Sequence, residues 1–152
     1  MTLVEDIERV FGDAPPPAEP LVESGYLAPN AQGDEGATEY FKGRLWEGLE
    51  VERLRYHEAA MYMFTPQAHR YYLPAFMIAS LEAPREADVI PDNIIGHFAS
   101  FEEPFWWARI RLFTPEQCDV IAEFIRTVAD EGHGTDQIHQ ALAGLERAKQ
   151  GG

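Results

Sequence analysis

Apolar positions recur at helical spacing along most of the chain. Leu3, Val4, Ile7, Val10 and Phe11 fall at i, i+1, i+4, i+7 and i+8, one face of a helix, while Glu5, Asp6, Glu8 and Arg9 occupy the other. Gly12 supplies the stop. Beyond Thr38, residues Tyr40, Phe41, Leu45, Trp46, Leu49, Leu54, Tyr56, Met61, Met63 and Phe64 keep mainly helical spacing. Gly43 and Gly48 divide that stretch in two, with a turn around Trp46.

Two near-repeats organise the remainder: Met63-Phe64-Thr65-Pro66-Gln67 and Leu112-Phe113-Thr114-Pro115-Glu116. In each, Thr caps the orphan N–H groups of a first helical turn, and Pro follows where its missing N–H would be unpaired anyway. The second adds Gln117 to complete a capping box, with Phe113 stapled against Cys118. Its face of Ile121, Phe124, Ile125 and Val128 predicts a helix ending near Gly132. A shared capping solution explains the pair better than a duplication does.

The helix after Pro66 carries Tyr71-Tyr72-Leu73-Pro74-Ala75-Phe76-Met77-Ile78-Ala79, apolar almost all round, which places it at the centre of the domain with a kink at Pro74. Residues 82–92, with Pro84, Pro91 and several acids, read as loop. The stretch 105–113 is ambiguous: Ala108, Ile110 and Leu112 alternate with Arg109 and Arg111 in the manner of a short strand near 106–112. Ile138, Leu142 and Leu145, with Thr135 before them, predict a last amphipathic helix that frays from Lys149. The expected fold is mainly α: a single-domain compact helical fold over 1–152, with a kinked central helix and, if 106–112 pairs, one short strand.

Charge changes this picture. The chain of 152 residues holds 12 Lys and Arg against 26 Asp and Glu, a formal charge of -14. Nucleic acid and anionic membranes both require a basic face, so neither is expected as a partner. Residues 1–39 carry nine acids against Arg9 alone, a net of -8, leaving -6 for the rest. The same segment holds Pro15-Pro16-Pro17, Pro20, Pro29, Gly12, Gly25, Gly33 and Gly36, so 12–37 is a Pro/Gly-rich acidic connection draped over the domain. It is either a solvated loop or a docking segment for a basic protein partner.

One cysteine, Cys118, excludes an intrachain disulfide and fits a reducing compartment. The first residues are acidic where a secretory leader is basic, and the Tyr71–Ala79 run is far shorter than the roughly 20 residues that span a bilayer. The expected location is the cytoplasm.

Catalytic patterns are sparse. His57-Glu58-Ala59-Ala60-Met61 begins like a zinc-protease helix, yet Met61 stands where the second ligand belongs. Ser24, Ser80 and Ser100 sit in no nucleophile elbow, and Gly132-His133-Gly134-Thr135 lacks a phosphate loop's lysine. No metal, cofactor or catalytic residue is assigned. Cys118, in a first helical turn, reads as a small buried residue before it reads as a nucleophile.

Two clusters remain as binding candidates: Arg70, Tyr71 and Tyr72 beside His69 on the central helix, and Glu102, Glu103, Trp106 and Trp107, acids beside aromatics as in many ligand pockets. Internal pairing of the first and a core-roofing loop for the second are the plainer readings.

The run Thr65-Pro66-Gln67-Ala68-His69-Arg70-Tyr71-Tyr72-Leu73-Pro74-Ala75-Phe76-Met77, preceded by Trp46 and followed by Leu112-Phe113-Thr114-Pro115-Glu116-Gln117, resembles a family of small bacterial proteins of unknown function. The likeness extends from Ile7 to about Ala129 and implies no activity. In that family an aromatic usually stands where His69 does here, which implies a packing role for the position.

The leading expectation is therefore a protein-binding module, regulatory or antitoxin-like, that docks a basic partner. The alternative is a small-molecule binder or enzyme with a pocket of Arg70, Tyr71, Tyr72, Trp106 and Trp107, with Glu102 or Glu103 as acid or base. A third is a structural subunit of a homo-oligomer, which would share an apolar face across a two-fold axis.

Overall fold

A computed structural model describes residues 1–12, 14–28 and 33–151. The described residues form ten α-helices and no strand ladder. The first, α1 (Leu3–Phe11), begins in a reciprocal cap between Thr2 and Glu5 and ends at Gly12, whose φ of 66° only glycine adopts readily. Next come α2 (Ala37–Phe41), α3 (Val51–Tyr56) and α4 (Ala60–Met63), short pieces separated at Gly43 and Gly48 and again at His57–Ala59.

The central helix, α5 (Pro66–Glu82), starts on Thr65, whose hydroxyl accepts from the Ala68 N–H, and runs through Pro74 without a break. It packs against α1, α3, α6, α7, α8 and α9, so most of its circumference is buried. The remaining helices are α6 (Pro84–Ala87), α7 (Ile90–Ala99), α8 (Pro104–Ile110), α9 (Pro115–Asp130) and α10 (Ile138–Lys149). Their buried side chains join those of the first half in one hydrophobic cluster from Ile7 to Ala148.

Two sequence expectations are corrected. Residues 82–92 are not loop: they hold α6 and the start of α7. Residues 106–112 are not a strand: α8 covers Pro104–Ile110 and turns Trp106, Arg109 and Ile110 to the core at i, i+3 and i+4. One cause underlies both. Pro66, Pro84, Pro91, Pro104 and Pro115 all occupy the first or second position of a helix, where proline starts structure and does not break it.

Helix α10 ends at Lys149, and the Gln150 and Gly151 amides bond back into its last turn. The Thr114–Gln117 capping box is present as expected.

Asp13 and residues 29–32 of the acidic connection lie outside the described residues. Elsewhere that connection is pinned. Leu21 and Val22 are buried, and Val22 forms an antiparallel bridge with Phe64 through Glu23 N–H to Met63 O (2.8 Å) and Thr65 N–H to Leu21 O (2.8 Å).

Helices α7 and α10 meet at Gly144, where an added Cβ would lie 2.8 Å from the Phe98 carbonyl oxygen. Alanine usually gains about 1 kcal/mol over glycine inside a helix. At Gly144 we expect the opposite sign, a loss of about 1–2 kcal/mol in Gly144→Ala from overpacking against backbone, read by chemical denaturation.

Candidate functional site

The central helix turns about 100° per residue, which scatters the first sequence cluster. His69 and Tyr72 point inward, while Arg70 is exposed and Tyr71 half-buried. The Tyr72 hydroxyl bonds to the carbonyls of Phe41 (2.6 Å) and Arg44 (2.8 Å), and burial pushes its pKa up. That phenol is a structural tie. The Tyr71 hydroxyl accepts the Trp46 N–H at 3.3 Å, and Arg70 and Tyr71 line a cleft of about 230 Å³ with Phe11, Gln67, Leu112 and Gln117.

The second cluster is also spread out. Trp106 is buried and stacked on His97, with ring centroids 4.1 Å apart. Trp107 lies under the Arg147 guanidinium at 4.6 Å, beside a different cleft that includes Arg111. Glu102 and Glu103 are exposed, and Glu102 accepts from the Gln140 side chain at 3.0 Å. None of Tyr72, Glu102, Glu103, Trp106 or Trp107 lines the Arg70 cleft.

A second cleft, of about 310 Å³, runs between α1 and α5. From α5 come Ala75, Ile78, Ala79 and Glu82, at i, i+3, i+4 and i+7 along one stripe, with Ala83 just past its end; α1 supplies Val4 and Glu8, and the turn at Trp46–Leu49 supplies Glu47. Three alanines at every fourth position make the floor low, because a methyl group fills little of the space that the flanking side chains enclose. Glu8, Glu47 and Glu82 are exposed and join no ion pair among the described residues. Among the described residues the walls include no Lys or Arg.

The family described as "Family of unknown function (DUF6714)" matches residues 5–148, nearly the whole chain. The chain belongs to it. No curated protein and no solved structure matches this DUF6714 member. Among its described residues no helix is long and apolar enough to cross a membrane, and no three His, Cys, Asp or Glu side chains gather as a metal-ligand set.

Three nucleophile candidates of this DUF6714 chain, Cys118, Ser80 and Ser100, are occupied or silenced. Burial, followed by the Asp119 charge, pushes the Cys118 thiol up to about 11, and Ser80 and Ser100 donate to the carbonyls of Phe76 and Gly96, each four residues earlier. The acidic connection is partly consumed as well: Glu23 pairs with Arg109 at 2.6 Å, and Asp34 accepts the N–H groups of Gly36 and Thr38.

Sequence reading missed Glu8, Glu47 and Glu82 because they lie far apart in the chain and no local motif unites them. The available trace was the Ala75, Ala79, Ala83 period. Reading missed Arg109 because an arginine between apolar residues looks like the outer face of a strand.

Proposed function

We propose that this protein acts by binding a basic protein partner. The observation that carries the reading is the state of its carboxylates: of 26 acids, nine take part in ion pairs among the described residues. Unpaired surface carboxylates in that excess set up a negative field that speeds encounter with a positive partner and opposes acidic ones. The test is capture from native lysate at two salt concentrations. A basic protein retained at about 0.05 M salt and largely released at about 0.5 M is the expected result, since exposed charges are screened within a few ångströms at the higher value. Retention of only neutral or acidic proteins, or retention indifferent to salt, counts against it.

A second reading has its own observation. Among the described residues the Arg70 cleft carries one guanidinium and no carboxylate on its walls, the reverse of the overall balance. A guanidinium over an apolar floor suits a small organic carboxylate. Under this reading benzoate or a similar acid raises the melting temperature of the wild type and leaves that of Arg70→Ala unchanged.

A further inference from the structure

We propose that the groove between α1 and α5 seats a basic amphipathic helix of the partner, with apolar side chains on the Ala75, Ala79 and Ala83 floor and Lys or Arg side chains reaching Glu8, Glu47 and Glu82. This rests on the reading that the partner is basic, and adds where it docks and in what form. The floor is a low stripe sunk between the flanking side chains: Ala75 and Ala79 are 6% and 8% exposed, and from Ala75 to Glu82 the helix rises about 10 Å at 1.5 Å per residue, roughly two turns, with Ala83 just past its end. A second helix laid along such a stripe presents apolar side chains at i, i+3, i+4 and i+7, the spacing that helix-in-groove recognition uses.

The apolar part of the groove is already half-covered. Val4, Leu49, Val51 and Ile78 are partly buried on its sides, so an occupant would complete the removal of their surface from water. Three carboxylates from three separate elements stand around this apolar strip and form no ion pair among the described residues, whereas Asp6, Glu39, Glu116 and Glu123 elsewhere on the surface each have a neighbouring Lys or Arg. Charge complementarity therefore specifies a positive occupant.

An extended peptide is disfavoured, because a helix wall offers no sheet edge of free N–H and C=O groups to pair with. A second copy of this chain is disfavoured too, since it would bring a surface of the same sign, -14 in total, against these glutamates.

The probe is a synthetic peptide of about 14 residues made of Leu and Lys in helical period, titrated into the full chain with methyl groups labelled for NMR. Expected are shifts concentrated on Val4, Leu49, Val51, Ile78 and the three alanines. Affinity should fall at least about tenfold in the triple variant Glu8→Gln, Glu47→Gln, Glu82→Gln, and similarly in Ala79→Leu, which raises the floor. The control triple Glu123→Gln, Asp130→Asn, Glu131→Gln should change it less than about twofold.

Several results overturn the proposal: no binding at millimolar peptide, shifts centred elsewhere, both triples weakening binding equally, spermidine alone reproducing the same shifts, or sedimentation showing the groove closed in a dimer. If a basic protein is captured with salt sensitivity but the groove triple captures it undiminished, the docking site is wrong and the basic partner stands. If nothing basic is captured at all, the broader reading falls.

Discussion

Lowering the pH from 7 to 5 is expected to cost the fold about 4 kcal/mol through His69 and His97 alone. Both imidazoles are almost fully buried, 1% and 3% exposed, and neither ring nitrogen of either has a hydrogen-bond partner. Their surroundings are aromatic: Trp106 stacks on His97 and meets His69 edge-on at 5.9 Å, with Phe98 and Phe113 closing around His69 and Tyr62 edge-on to His97. The charged groups nearest this cluster repel a proton. Burial pushes His69 down to about 3, with the His97 and Arg109 charges adding to it, and burial pushes His97 down to about 3.

An unfolded chain titrates both near 6.5, so below that value the unfolded state takes up protons that the folded state refuses. The contribution is fully present above about pH 6.5, shrinks as the pH falls and levels off near 3. At pH 5 the gap of about 1.5 units costs about 2 kcal/mol per histidine, or a melting temperature lower by about 8–16 °C for the pair. Burial also lowers His57, which acts in the same direction. Acidification simultaneously relieves carboxylate repulsion, which acts the other way, so the informative comparison is with His69→Phe/His97→Phe. That variant should keep most of its pH 7 melting temperature at pH 5. Parallel curves for variant and wild type would refute the assignment.

Replacing Arg109 is the second large effect, a loss of about 3 kcal/mol in Arg109→Met. Its side chain is 2% exposed, yet it holds three partners: Glu23 at 2.6 Å, the Phe64 carbonyl at 2.7 Å and the Phe105 carbonyl at 2.8 Å. The guanidinium also lies 3.7 Å from the centre of the Phe105 ring. Burial lowers its pKa and the Glu23 contact raises it.

Glu23 is itself 41% exposed and can return to water, so the cost lies less in the ion pair than in the Phe64 carbonyl left without a donor and in the cavity. Arg109→Lys should fall between, because an ammonium cannot reproduce the fork. The loss should be local at first. Amide exchange at Glu23 and Thr65, the two bonds of the Val22–Phe64 bridge, should accelerate before that of α9, and uniform acceleration would show that Arg109 does not act as the clasp of the connection.

Local patterns in the sequence determined most of the helices. The α1 periodicity, the Thr65-Pro66 and Thr114-Pro115 starts and the α9 face depend on neighbours within a turn or two, so they are readable from the chain alone. Net charge and its front-loading are likewise sums over residues.

Tertiary structure decided the rest, because those features join residues distant in sequence. Whether Pro84, Pro91 and Pro104 break or begin a helix depended on what followed them being buried. Arg109 turned inward because Glu23 and the Phe64 carbonyl, 86 and 45 residues away, met it there. Of the acids that looked available in the connection, Glu23 and Asp34 were taken up internally, while Glu8, Glu47 and Glu82 came together around an apolar groove. A carboxylate's availability depends on what surrounds it in three dimensions, and sequence gives only its position in the chain.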